Sequence, residues 1–188
     1  MAINPNPRVE AEYISLREAA RIYGVSVDSL RRRISEGVLP AVKSGYRLIR
    51  VRITDLDRAA SRAAARVRLG LPAEGQVLLV SGGSQGAASL NRAVIGSIRT
   101  LLEAGISVLH AVGPKNLTDD LATLTYQGTG AVYLPLAYIE EMDVAYAAAD
   151  LMLGRCGAST VLETAAVGLP AVFVPYPHGN GEQARNAA

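Results

Sequence analysis

The chain has 188 residues, 49% hydrophobic and 19% charged, which predicts a packed soluble core in one ordinary domain or two small ones. Its single cysteine, Cys156, excludes an internal disulfide, and no apolar run is long enough to span a bilayer. The opening "MAINPNPRVEAEY" lacks the basic-then-apolar order of a secretion signal, so the chain reads as cytoplasmic. Charge is uneven along it. Residues 1–60 carry 11 Lys+Arg against 7 Asp+Glu, whereas residues 61–188 carry 8 against 10. A basic excess confined to the first third predicts two modules.

In chain order, Ser15 with Glu18 reads as a capping box, and Leu16, Ala19, Ala20 and Tyr23 form one apolar helical face. Gly24 is placed to end that helix in a left-handed conformation. Ser26 then caps a second helix that turns Leu30 and Ile34 inward and Arg31, Arg32 and Arg33 outward; Gly37 and Pro40 stop it. "AVKSGYRLIRVRI" reads as a hairpin turning at Ser44-Gly45, with Leu48, Val51 and Ile53 as strand positions. Two short helices followed by a basic hairpin predict a small winged helix-turn-helix, mainly α with a β-hairpin. The candidate DNA contacts are Arg31, Arg32 and Arg33 on the second helix and Lys43, Arg47 and Arg50 on the wing.

This stretch resembles the excisionase/MerR-type helix-turn-helix family, through "SLREAARIYGVSVDSLRRRISEGVLPAVKSGYRLIR". The resemblance implies that the second helix enters the major groove of double-stranded DNA while the wing touches the backbone or minor groove beside it. The solvated basic face of a small interaction domain is the plainer alternative.

From residue 76 the pattern changes. The apolar runs "QVLLVSG", "ISVLHAVG", "AVYLPL", "LMLGRCG" and "AVFVPY" read as buried strands. The segments "ASLNRAVIGSIRTLLEAG", "NLTDDLATLTYQG", "IEEMDVAYAAAD" and "STVLETAAVG" read as helices between them. Strands without polar alternation need cover on both faces, so an α/β Rossmann-like parallel sheet is predicted, with its cleft at the carboxyl ends of the strands.

"SGGSQGA" follows the first of these strands and opens a helix, a place where backbone N–H groups and the helix dipole favour an anion. It matches neither the dinucleotide fingerprint nor a Walker A loop. A second glycine-led helix start, "GASTVLE", follows the fourth strand, with Glu163 one turn in. Two helix starts at one cleft suit a diphosphate, and the carboxylate suits the vicinal hydroxyls of a ribose. "PHGNGEQARNA" adds amide and carboxylate groups suited to sugar hydroxyls. The composite is a site for a nucleotide-diphosphate sugar. Arg155 beside it is open between a ligand contact and a salt-bridge partner. Cys156 reads as packing, and His110 and His178 lack any ligand-like spacing.

These residues resemble the MurG-type UDP-N-acetylglucosamine transferases (glycosyltransferase family 28, GT-B fold) in their C-terminal, donor-binding half. "LLVSGGSQGAASLNRAV", "YIEEMDVAYAAADLMLGRCGASTVLETAAVGLPAVFVP" and "HGNGEQARNA" carry the resemblance. It implies Ser84 and Gln85, with Ala158, Ser159 and Thr160, on the phosphate side. It also implies Ile139 and Met142 at the uracil, Glu163 at the ribose, and Glu182 with Gln183 at the N-acetylglucosamine. Many relatives carry Gln-Gln where this chain has Glu182-Gln183. The family works without a metal in the active site, so neither metal nor cofactor is expected.

The resulting layout is a flexible lead over 1–12, a winged helix-turn-helix over 13–57, and a linker helix with the seam over 58–75. A UDP-sugar-binding domain over 76–188 follows, incomplete at its C-terminus. Thr54 with Asp57 can cap the linker helix and Gly70 can end it. The function expected is DNA binding joined to UDP-N-acetylglucosamine binding, with no visible general base and hence no catalytic residue. The alternatives are a donor half that transfers only with a separate acceptor domain, and a folding scaffold or gene remnant. A thinly covered edge at "AVFVPY" predicts self-association.

Overall fold

The computed structural model describes residues 12–44, 48–177 and 181–186. The expected lead thus lies outside the described residues except for Glu12, and so do Gly45 of the hairpin turn, Arg47 and His178. The chain divides into two units, Met1–Ser61 and Arg62–Ala188.

In the first unit, β1 (Tyr13–Ser15) leads into α1 (Leu16–Tyr23) and α2 (Val27–Ser35), followed by β2 (Ala41–Ser44) and β3 (Leu48–Arg52). The helix boundaries follow the caps. Ser15 Oγ accepts from the Glu18 N–H at 3.2 Å and Ser26 Oγ from the Ser29 N–H at 3.0 Å, while Gly24 ends α1 at φ 64°. β1 is an addition to the expected hairpin: it pairs antiparallel with β3, giving the order β1-β3-β2. Ile14, Leu16, Ala19, Leu30, Leu39, Val51 and Leu56 close a core of their own.

The unit boundary falls inside α3 (Ile53–Arg68). The expected cap at Thr54 and Asp57 is not what starts this helix, because Thr54 already lies within it. Asp57 instead accepts from the Tyr23 hydroxyl at 2.6 Å, which pushes the tyrosine pKa up to about 12. Gly70 takes φ 73° just beyond the helix end.

The second unit runs β4 (Gln76–Ser81), α4 (Ala88–Glu103), β5 (Ile106–Ala111), β6 (Leu124–Thr125), β7 (Val132–Leu136), α5 (Met142–Ala148), β8 (Leu151–Gly154), α6 (Ala158–Val167), β9 (Ala171–Phe173) and α7 (Glu182–Asn186). The sheet order is β6-β7-β5-β4-β8-β9. Val77 and Leu79 of β4 pack into one apolar cluster with Leu109, Ala145, Tyr146 and Met152, and Leu78 and Val80 into another with Leu90, Val94, Ile98 and Leu102 of α4. Both faces of the central strand are therefore covered, as its unbroken apolar run requires.

Two expectations are corrected. The segment 116–128 is not helical: it forms turns and the short strand β6, which pairs antiparallel with β7. Leu117, Leu121 and Leu124 have helical spacing, but Leu117 and Leu124 are exposed, so no packed face rewards a helix there. The sheet is consequently mixed, five parallel strands plus one antiparallel edge. The other edge, β9, is three residues long with Val172 half exposed.

Candidate functional site

Reading outward from β4, the chain first builds β5 and β7 on one side and then β8 and β9 on the other. The order reverses between β4 and β8, and connections leaving their carboxyl ends must diverge, which opens a crevice. A cleft of about 280 Å³ lies there. Its walls are Ser81, Gly83 and Ser84 after β4, Ala111 of β5, Tyr138 and Ile139 after β7, and Met142 and Tyr146 of α5. Met152 of β8 and Ser159, Thr160 and Glu163 of α6 complete them. A larger groove of about 410 Å³ along α4 mixes Arg92 and Lys115 with Asp120 and shares no lining residue with this crevice.

The glycine loop is shaped by close approach. Gly86 has φ 74°, and a Cβ there would collide with the Val112 carbonyl. Gly83, at φ 87°, meets nothing within 4 Å on the side where a Cβ would sit, and it lines the cleft. Ala87 and Gly157 precede α4 and α6 and make no side-chain cap, so the N–H groups of both helix starts are left for another acceptor.

The carboxylate of Glu163 is held in place. Tyr146 is buried on α5 and donates its hydroxyl to Glu163 Oε2 at 2.8 Å. Burial, then this bond, raise the tyrosine pKa, so the phenol stays protonated and keeps donating. Tyr146 is a site residue that sequence reasoning missed: it sits in an alanine-rich helix and gains meaning only when α5 and α6 meet.

The fold thus brings together Ser84, Ile139, Met142, Ser159, Thr160 and Glu163. Four others do not line the cleft. Gln85 is exposed, with its carbonyl accepting from Asn116 Nδ2 at 3.2 Å. Ala158 is exposed at the first position of α6. Glu182 and Gln183 sit on α7, where Gln183 Oε1 accepts from the Tyr176 N–H at 3.0 Å. Arg155 is engaged within the protein by two backbone carbonyls and a serine. It is buried and donates to the carbonyls of Val174 (3.0 Å) and Pro175 (2.8 Å) and to Ser89 Oγ (3.0 Å), tying the segment after β9 to α4. Cys156 is buried and unpaired.

His110 is wholly buried between Tyr133 Oη (3.2 Å) and Asn91 Oδ1 (3.1 Å). Asn91 spends its NH₂ group on the Val112 carbonyl at 2.7 Å, so its oxygen faces the histidine and Nε2 must carry the proton. Burial lowers the histidine pKa to about 4.

In the first unit, Arg31 and Arg32 are exposed on α2, and Arg33 is half-buried. Arg31 pairs with Asp28 at 3.6 Å and Arg32 with Glu36 at 4.0 Å, both on the solvated surface. Lys43 stands opposite Ile49 and Arg50 opposite Val42, so the two cations lie on opposite faces of the hairpin. Arg50 reaches the Tyr13 carbonyl at 3.5 Å. No described helix is long and apolar enough to cross a membrane, and no metal-ligand cluster occurs among the described residues.

Fold and site together define a helix-turn-helix unit and a Rossmann-like half domain with a crevice at its strand reversal. Residues 77–188 match the glycosyltransferase family 28 C-terminal domain and residues 13–64 a helix-turn-helix domain. The chain belongs to glycosyltransferase family 28 and carries a helix-turn-helix domain at its N-terminus. It is similar to the UDP-N-acetylglucosamine--N-acetylmuramyl-(pentapeptide) pyrophosphoryl-undecaprenol N-acetylglucosamine transferase of Rhodococcus jostii, with 50% identity over 94% of this chain and 44% of that protein. The protein of the same name from Nocardia farcinica is 58% identical over 74% of this chain and 36% of its own length. The crystal structure of Acinetobacter baumannii MurG superposes with a TM-score of 0.51 at 33% identity, covering 61% of this chain and 34% of that one. The chain spans less than half the length of these relatives.

Proposed function

We propose that the family 28 unit binds UDP-N-acetylglucosamine in the cleft between β4 and β8. The observation that carries this reading is the meeting of the glycine loop after β4, the uncapped start of α6 and one oriented carboxylate on a single crevice. The pyrophosphate takes the N–H groups at Ser84 and at Ser159-Thr160, with Gln85 and Ala158 flanking. Glu163 accepts from the ribose hydroxyls, and Ile139 with Met142 forms the apolar wall for the uracil. Gln183 uses its oxygen on Tyr176, which leaves its NH₂ group for a sugar hydroxyl beside Glu182.

Binding without transfer by the chain alone is the second part of the proposal. Transfer needs a base within reach of the acceptor hydroxyl. Glu163 is engaged by Tyr146, and His110 is buried away from the cleft lining. Titration calorimetry of the full chain with UDP-N-acetylglucosamine tests the reading, with UDP-glucose as the comparison. Saturable binding that favours the N-acetyl sugar is expected, and no heat with either nucleotide sugar refutes it. A transfer rate from the purified chain to a lipid-linked muramyl-pentapeptide would overturn the second part.

The helix-turn-helix unit carries a separate proposal. Arg31 and Arg32 stand exposed on the second helix of a fold that offers that helix to the major groove. It binds double-stranded DNA through α2, with Lys43, Arg47 and Arg50 on backbone phosphates.

A further inference from the structure

Inside the glycine loop, Ser81 Oγ accepts from the Gly83 N–H at 3.3 Å. The Gln85 carbonyl is held from outside the loop, by the segment after β5. Asn116 donates its side-chain NH₂ group to two carbonyls at once, Gln85 of the loop at 3.2 Å and Val112 at 2.9 Å. Val112 also accepts from Asn91 on α4 at 2.7 Å, and Asn91 is fixed by the buried His110. The Asn116 main-chain N–H closes a turn on the Gly113 carbonyl at 3.0 Å. A Cβ on Gly113 would run into the Gln85 carbonyl, so the loop and this turn lie backbone against backbone.

We propose that Asn116 is a positioning residue for the glycine loop, acting through the Gln85 carbonyl to aim the loop N–H groups at the pyrophosphate of a nucleoside diphosphate. The inference rests on the donor-binding reading. Without the Asn116 bond the Gln85–Gly86 peptide loses the hold on its carbonyl and keeps only the Gly86 N–H bond to the Gly83 carbonyl at 2.9 Å, which two glycines, tolerant of either sense of rotation, resist giving up only weakly. The neighbouring Asn91 and His110 hold the second carbonyl, so Asn116 meets the loop as a fixed strut rather than as a mobile surface amide.

The test uses the full chain with Asn116→Asp, which keeps the shape but turns an acceptor toward two carbonyls, and with Asn116→Ala. Amide hydrogen exchange is followed at residues 82–87, and calorimetry compares UDP with uridine. Loop exchange is expected to rise in both variants while exchange in β4 and β5 stays at the parent rate. UDP affinity falls about tenfold, as for one lost hydrogen bond, and uridine affinity does not change. Parent-like loop exchange in both variants overturns the proposal. So does raised exchange with unchanged UDP affinity, or an equal loss for UDP and uridine. If the parent chain binds no UDP yet loop exchange rises in the variants, the donor reading fails while the hold of Asn116 on the loop stands.

Discussion

The two units present their working groups in opposite ways. In the helix-turn-helix unit, Arg31 and Arg32 stand in solvent on one short helix, each with an acid one turn away, and the seven-residue core lies beneath them untouched. In the family 28 unit, the cleft residues come from several separate elements and meet only because the strand order reverses between β4 and β8. Arg66, Asn91, His110 and Arg155 are buried polar groups of the same unit that do not line that cleft. A site made of exposed charges can be changed without disturbing its fold. One made by convergence depends on the scaffold that enforces it.

The sharpest way to expose that dependence is at Arg66. Its guanidinium, 3% exposed, donates to Asp150 Oδ2 at 2.6 Å, to the Ala148 carbonyl at 2.8 Å and to the Gly75 carbonyl at 3.0 Å. Asp150 also accepts from Arg62 at 2.9 Å and from the Val77 N–H at 2.8 Å, tying α3 to the start of β4 and β8. Arg66→Ala leaves the carboxylate with only Arg62 and the Val77 N–H and strands two carbonyls, and we expect a loss of about 3–5 kcal/mol in chemical denaturation. A loss below about 1 kcal/mol would show the clamp to be a solvated surface pair.

His110 gives the next effect, and its sign is fixed. The unfolded chain takes up a proton near pH 6.5 and the folded chain only near pH 4. Between those values the unfolded state binds more protons, so stability is fully present above pH 6.5 and falls as the pH drops towards 4. The other titratable group that meets the ring is Tyr133, whose pKa burial raises, and it stays neutral across that window. The loss amounts to about 3 kcal/mol on going down to pH 4. Urea midpoints measured across that range should flatten in His110→Gln.

The sequence makes the two modules and the helix caps at Ser15 and Ser26 legible, because each rests on short-range pattern: a cap, a turn glycine or a strand-end loop. Six of the twelve residues that line the cleft are also named from sequence, Ile139 and Met142 only through the family resemblance. What it hid was long-range. Tyr146 finds Glu163 across seventeen residues, Arg66 finds Asp150 across eighty-four, and Asn116 finds Gln85 across thirty-one. None of these pairs has a spacing that marks it. Segment 116–128 shows the converse: Leu117, Leu121 and Leu124 repeat as in a helix, but Leu117 and Leu124 are exposed and the repeat gains no buried face. Arg155 was undecided because only the fold shows it spent on backbone carbonyls.

At the cleft itself, Glu163→Ala should weaken UDP binding by about 1–3 kcal/mol, the worth of hydrogen bonds to a charged acceptor. Glu163 is exposed, but its removal also takes the acceptor from the buried Tyr146 hydroxyl, so the denaturation midpoint should fall a little, well short of the effect of Arg66→Ala. A stability loss as large as that of Arg66→Ala would place Glu163 in the scaffold, and unchanged affinity would remove it from the ribose.

The smallest effects belong to the first unit, where the groups are exposed and additive. Arg32→Ala is expected to cost about 1–3 kcal/mol on a preferred duplex and less on random DNA, because a bidentate guanine contact discriminates while a phosphate contact does not. Lys43 is exposed on the hairpin face opposite Arg50, and a wing set against DNA offers it phosphates rather than base edges. Lys43→Ala should therefore weaken binding to every duplex alike and lower the slope of log affinity against log salt by about 1. Fluorescence anisotropy over a salt series separates the two classes on one set of duplexes. Neither substitution should move the melting of the unit, since its core contains neither residue. Equal losses for both on all sequences would reduce the helix-turn-helix to general basic attraction.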